Sequence, residues 1–248
     1  MTNPSPVALP PGSTTLDESQ RRLQIEMNGI EVISESERTA RPRDLFWPWF
    51  AANISVFGIT YAAWILYNGV SFWQGLVVAI LGITISFLLC GFVAIAGKRG
   101  NAPTMVLSRA SFGVDGQKVP GVISWIVSVG WETFLAILAV LATSTVFERL
   151  GWASGTITQA IASAVVATLI VVASVMGYHT IMKMQSVLTW LTGAMTIAYI
   201  VMTFHLIDLG AVMAMPSGNM TGVLGSLVMV MTGFGLGWIN IAADWSRY

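Results

Sequence analysis

The feature that most constrains this chain is a series of six apolar stretches, set apart by short polar or Gly/Pro-bearing breaks, at residues 45–67, 72–96, 119–146, 157–176, 184–206 and 221–243. A bilayer hydrocarbon core of about 30 Å is crossed by roughly 20 mostly apolar helical residues, so each stretch is long enough to span. The stretches are apolar all round, without the period-two alternation of barrel strands, so they predict helices. Charge supports this. Only 10% of the 248 residues are charged, against about 25% in a soluble domain, and mean hydropathy is +0.73. The expected fold class is an all-α membrane protein with six transmembrane helices over residues 45–248, preceded by an N-terminal arm at residues 1–44.

The basic residues set the orientation. With the N-terminus inside, Arg21, Arg22, Arg38, Arg41, Arg43, Lys98, Arg99, Arg109, Lys118, Lys183 and Arg247 are cytoplasmic, and only Arg149 lies outside, next to Glu148. The arm is polar and proline-bearing and lacks the apolar core of a secretory signal, so it reads as cytoplasmic. Twelve basic residues balance twelve acidic ones with no run of like charge, which sets nucleic acid aside as a partner. Cys90 is the single cysteine, which excludes an internal disulfide and argues against a metal cluster.

The longest internal connection, "GKRGNAPTMVLSRASFGVDGQKVPG" at 97–121, contains Met105, Val106, Leu107 and Phe112, and predicts a short interfacial helix folded against the bundle. Polar groups and glycines inside spans mark helix contacts, cavities or backbone breaks. In the third span, "SVGWETF" places Ser128, Trp131 and Glu132 together. Glu132 is the only acidic residue deep in a span; a carboxylate there must be protonated, paired or facing a wet cavity. Trp131 offers a flat wall for a planar ligand. Both residues also fit plain helix packing. In the first span, Asn53 and Gly58 permit local unwinding that would free carbonyls for a cation or substrate, with small-residue packing as the alternative.

The sixth span carries Gly225, Gly233, Gly235 and Gly237. Each helical glycine costs roughly 1 kcal/mol relative to alanine, so three within five residues predict a broken helix beside a cavity, or a close approach of another helix. "GFGLG" is not a dinucleotide loop, because no strand precedes it and the glycine spacing fails. His179 and His205 fall near span ends, so no histidine stands level with Ser55 or Ser128, and a membrane hydrolase has little support.

Three segments taken together, "GIEVISESERTARPRDLFWPWFAANIS", "GNAPTMVLSRASFGVDGQKVPGVISWIVSVGW" and "GFGLGWINIAADWSRY", resemble the nucleobase-cation symporter family in its purine-cytosine permease branch. The resemblance runs from about Gly29 to Tyr248. It implies a fold of about twelve helices, ten of them in two inverted five-helix repeats, with the first and sixth helices discontinuous. This chain matches the first repeat and the opening helix of the second, as an N-terminal fragment would.

The resemblance further implies a secondary active transporter in the inner cell membrane. It would import a heterocycle of cytosine, purine, allantoin or hydantoin type with sodium or a proton, by alternating access. The helices one and six would move against three and four. The ring would stack on Trp131 of the third helix, with Ser128 one turn earlier offering a hydrogen bond. In the sixth helix the aromatic slot falls at Gly235 or, one residue off, at Phe234; Phe234 is taken as the stacker and Gly235 as a backbone contact. Glu132 matches no ligand of the family. The coupling-ion site needs an eighth helix, which this chain does not contain, and no cofactor is implied. A second reading, from another class, is a truncated, transport-inactive membrane interaction module.

Overall fold

The computed structural model describes residues 29–54 and 56–248. Most of the expected arm (1–28, with Arg21 and Arg22) and Ser55 lie outside the described residues. Every regular element among the described residues is helical.

The first span opens on a 3-10 turn, Pro42–Leu45. Pro42 stands at its first position, where a missing N–H costs nothing, and the Arg41 amide donates to Asp44 Oδ2 at 2.9 Å. The helix then breaks. α1 covers Phe46–Asn53 and α2 covers Val56–Tyr67, with Ile54 in extended geometry between them. The two arms of this span, Pro42–Asn53 and Gly58–Tyr67, are bent by 53°.

α3 (Phe72–Gly100) starts at a reciprocal cap: the Gln74 amide donates to Ser71 Oγ at 3.3 Å and the Ser71 amide to Gln74 Oε1 at 2.9 Å. It ends at Asn101, whose φ of 54° is left-handed. The connection that follows holds two short helices rather than one, α4 (Thr104–Leu107) and α5 (Arg109–Gly116). α6 (Lys118–Arg149) is the third span.

The expected fourth and fifth spans are two helical segments that meet at a kink at Gly177 within Thr156–Thr203, together labelled α7, with no longer loop between them. Residues 178–183, "YHTIMK", carry no Pro or Gly, so nothing in them stops a helix from resuming. The sole non-helical residue inside α7 is Gly177, at φ 71°, ψ −161°, a region that only glycine enters readily. At 1.5 Å per residue an uninterrupted α7 would measure roughly 70 Å, more than twice a bilayer core. A short α8 (Leu209–Met213) precedes α9 (Met220–Gly233), which is capped by Asn219. By length and composition, four described helices are able to cross a membrane, five if the bent first pair counts as one.

The sixth span breaks as its glycines predict. α9 stops at Gly233, Phe234 leaves helical geometry at φ −110°, ψ −111°, and a 3-10 segment, Gly235–Ile241, leads into α10 (Ala242–Ser246). The close-approach reading holds as well: a Cβ at Gly235 would overlap the backbone of Ser86 and Phe87 on α3.

In lipid, helix association depends on packing and on polar bridges. α3 is fastened to the last span along its whole length. At one end Gln74 pairs with the Gly218 backbone through both amide atoms (2.7 and 3.1 Å), and Asn68, in the turn before α3, donates to Ser226 at 3.0 Å. At mid-length the Gly235 amide donates to Ser86 Oγ at 3.1 Å, and at the far end Ser246 donates to the Ala94 carbonyl at 2.6 Å. Ile65, Val70, Val78 and Val230 form the core between these helices. α1 instead packs on the second half of α7, where Trp47 meets Trp190 at 6.1 Å.

Candidate functional site

The second half of the first broken span and α6 line a cavity among the described residues. It is an open hollow of about 410 Å³, within the usual range for small-molecule sites. α2 contributes Tyr61 and Trp64; α6 contributes Val127, Gly130, Trp131 and Phe134. These α6 positions fall at helical spacing i, i+3, i+4 and i+7, which lie on one face. Four of the six lining residues are aromatic.

The walls are held differently. Trp131 is 38% exposed and meets Phe134 at 5.9 Å, edge to face. Tyr61 is only 7% exposed. Its ring meets Trp64 and Phe234, each at 5.1 Å and in edge-to-face geometry. A Cβ at Gly233 would overlap the Tyr61 ring, so the end of α9 is hollowed to receive it. At Gly130, by contrast, an added Cβ meets nothing within 4 Å, because that position opens on the hollow.

Of the residues expected at a site, Trp131 alone lines this cavity. Ser128 and Glu132 are exposed on α6; at 100° per residue Glu132 points about 100° away from Trp131. Phe234 stands behind Tyr61 rather than in the cavity wall. Gly235 is buried and its N–H is committed to Ser86 Oγ. Asn53 donates to the Trp49 carbonyl at 2.6 Å, four residues back on its own helix. The hydroxyl of Thr133 on α6 is likewise satisfied locally, by the Val129 carbonyl at 2.8 Å.

Tyr61 and Trp64 are absent from the sequence-based set. That reading weighed polar groups and glycines in the first span and passed over "TYAAW", where two aromatics at i, i+3 share a face. A polar link also escaped it: Asn240 Nδ2 donates to Ser124 Oγ at 2.8 Å, joining the 3-10 segment of the last span to α6. Ser124 lies one turn before Val127, on the cavity face of α6.

Residues 32–248 match the model of a family described as permeases for cytosine/purines, uracil, thiamine and allantoin. The chain belongs to that family. The match agrees with the resemblance carried by the three sequence segments, and with a multi-pass membrane protein. Membership in this permease family points to a transporter rather than an enzyme. A relative from Bacillus subtilis (strain 168), provisionally named purine-cytosine permease YxlA, is 26% identical over 227 residues. The aligned region covers 91% of this chain and 48% of that relative, so the chain spans about half the length of the curated relative it matches. No solved structure matches the chain significantly.

Proposed function

We propose that the chain belongs to a secondary active permease that imports a nucleobase or a related flat heterocycle of the cytosine, purine, allantoin or hydantoin type. The observation that carries this is the aromatic cavity between α2 and α6, set in a chain whose residues 32–248 match a permease family. A flat, weakly polar ring gains most of its binding from aromatic faces, while a few hydrogen bonds choose among heterocycles.

The breaks in the first and last spans support alternating access. α3, α9 and α10 are bridged along their length, which favours their motion as one body. Asn240 and Ser124 bridge that body to α6 beside the cavity. Such a contact would break and re-form as the cavity opens to one side and then the other. Sodium or a proton is the proposed coupling ion. The proposed topology has both ends inside, with the chain reversing direction at Gly177 to give six crossings.

The test is uptake of radiolabelled cytosine, adenine, uracil and allantoin by cells expressing the full reading frame, beside Trp131→Ala. Saturable uptake of one compound, lost in the variant at unchanged surface expression, supports the reading. A surface-expressed protein that moves none of the four overturns it.

A further inference from the structure

Glu132 stands outside the aromatic cavity, yet α6 links it to the cavity's edge. We infer that Glu132 is a proton-binding site of the permease, which makes a proton the coupling ion; this rests on the permease reading above. Glu132 sits near mid-span, 14 positions after Lys118 and 17 before Arg149, roughly 20 Å along the helix from Lys118. It is exposed on α6, and no ion pair or hydrogen bond engages it among the described residues. A bare carboxylate at that depth is costly, and an ionisable group there faces the bundle interior or a wet path rather than lipid. With a proton on it the same group is neutral, and both donates and accepts hydrogen bonds. A coupling site needs a group that passes between two such forms.

A row of polar residues leads to it. Ser124, Ser128 and Glu132 recur at every fourth position, so each stands about 40° around the helix from the last, with Cβ atoms about 5–6 Å apart. The row starts where Asn240 of the last span donates to Ser124 Oγ at 2.8 Å, and it winds away from Trp131 towards Glu132. Each hydroxyl both donates and accepts, and the spacing leaves room for bridging water. On the outer side hydronium gives up its proton to a Glu132 oxygen, leaving water and the neutral acid; after the cavity opens inwards, the acid returns that proton to cytoplasmic water. Trp131 and Glu132 are neighbours in one turn of α6, so ring and proton act on the same piece of helix. No rival titratable group shares the row. α7 carries none over residues 156–176 and, beyond the Gly177 break, Tyr178, His179, Lys183 and Tyr199; the 3-10 segment Gly235–Ile241 carries none. Tyr61 of α2 lines the cavity. Arg109 and Asp115 of α5 lie by the start of α6, where Asp115 pairs with Lys118 at 2.6 Å, and Asp244 of α10 is engaged by Thr104.

The experiment places the full-length permease, Glu132→Gln and Glu132→Asp in proteoliposomes with a pH-sensitive dye inside, and offers radiolabelled cytosine, adenine, uracil and allantoin. Exchange is read without any gradient. Net uptake is read with the outside more acid by about one pH unit, without sodium and with the membrane potential clamped at zero; one proton per substrate then permits up to about tenfold accumulation. The parent should accumulate the compound it exchanges and acidify the interior as it does so. Glu132→Gln keeps the shape but cannot ionise, so it should exchange as the parent does, only equilibrate under the gradient, and carry no proton. Parent-like accumulation in Glu132→Gln overturns the inference. So does loss of exchange together with accumulation in a folded Glu132→Gln, because that pattern marks a structural role. Should Glu132→Gln not fold, Glu132→Asp decides: moving the carboxyl by one methylene should shift the pH profile of accumulation with exchange intact, and an unshifted profile overturns the inference. Exchange by the parent with no substrate-dependent acidification removes the proton site and leaves the permease reading standing. Exchange of none of the four compounds overturns the permease reading itself and the Glu132 assignment with it.

Discussion

Asp244 Oδ2 accepts two hydrogen bonds from a single residue 140 positions earlier, the amide of Thr104 at 3.1 Å and its hydroxyl at 2.8 Å. The Thr104 oxygen accepts in turn from the Ala243 amide at 3.0 Å. The start of α4 is thus tied to the start of α10. Removing the carboxylate strands these donors, so Asp244→Ala should lower stability by about 1–3 kcal/mol. Asp244→Asn keeps an acceptor and should cost less. Thr104→Val should cost a similar amount, and the double variant should fall short of the sum, since the two share one network. Thermal unfolding in detergent tests the ranking. Parent-like melting of Asp244→Ala, or strict additivity, would remove this clamp from the account.

Gly130 separates stability from binding. It lies inside α6, where glycine is costly, yet nothing obstructs a side chain there. Gly130→Ala should raise stability by about 0.4–1 kcal/mol through the unfolded chain. Gly130→Leu should fold equally well and fill the cavity beside Trp131, so its substrate affinity should fall by tenfold or more, on the order of one lost stack. A folded Gly130→Leu that binds like the parent would place the substrate elsewhere.

How far the sequence could be read depended on what each residue type signals locally. Apolar length announces a span wherever it occurs, so the all-helical membrane class and the third span were legible. Clustered glycines mark a break, as residues 233–237 do. Partnership across 140 residues has no local mark: nothing in the sequence around Asp244 signals that its carboxylate accepts from Thr104. The same limit hid Tyr61. An aromatic in a hydrophobic span carries no sign of facing a cavity until Gly233 and Phe234 are seen behind it. Glu132 shows the converse, since rarity in a span marks a residue out without saying which face it occupies, and it is exposed on α6 away from the described cavity. The fourth span ends at the Gly177 break, and the next helix resumes at Tyr178 rather than Met184 because Lys183 breaks an apolar run but not a helix.

Gly177 supplies the next prediction. Its φ of 71° and ψ of −161° admit no side chain comfortably, so Gly177→Ala should cost about 1–3 kcal/mol. The proposed reversal there also fixes a topology. With Cys90→Ala as background, single cysteines at Thr180 and Asp115 should label from the cytoplasmic side, and one at Trp152 from outside. Labelling of positions 152 and 180 from the same side would remove the crossing between them.

The last prediction concerns residues 29–40, which lie as a strap across the exits of three helical elements. The Ile33 amide donates to the Asn101 carbonyl at 2.8 Å, Arg38 to the Lys98 carbonyl at 2.8 Å, and the Ala40 amide to the Tyr248 carbonyl at 3.1 Å. Ile33 is 2% exposed, in a cluster with Tyr178 and Tyr248, whose rings stack at 4.2 Å. Arg247, 6% exposed, donates to the Gly29 carbonyl at 2.9 Å and to the Tyr248 hydroxyl at 3.1 Å. One guanidinium thus holds the strap's beginning against the end of the last span, and lysine, a point charge on a flexible stem, cannot reproduce both bonds. In the Cys90→Ala background, Ile33→Cys should resist a membrane-impermeant maleimide added to inside-out vesicles. Adding Arg247→Ala should expose it, and Arg247→Lys should expose it partly. Rapid labelling with Arg247 intact would mean that the strap does not rest on the helix ends in the membrane, and the stack of Tyr178 on Tyr248 would then have to hold those ends together unaided.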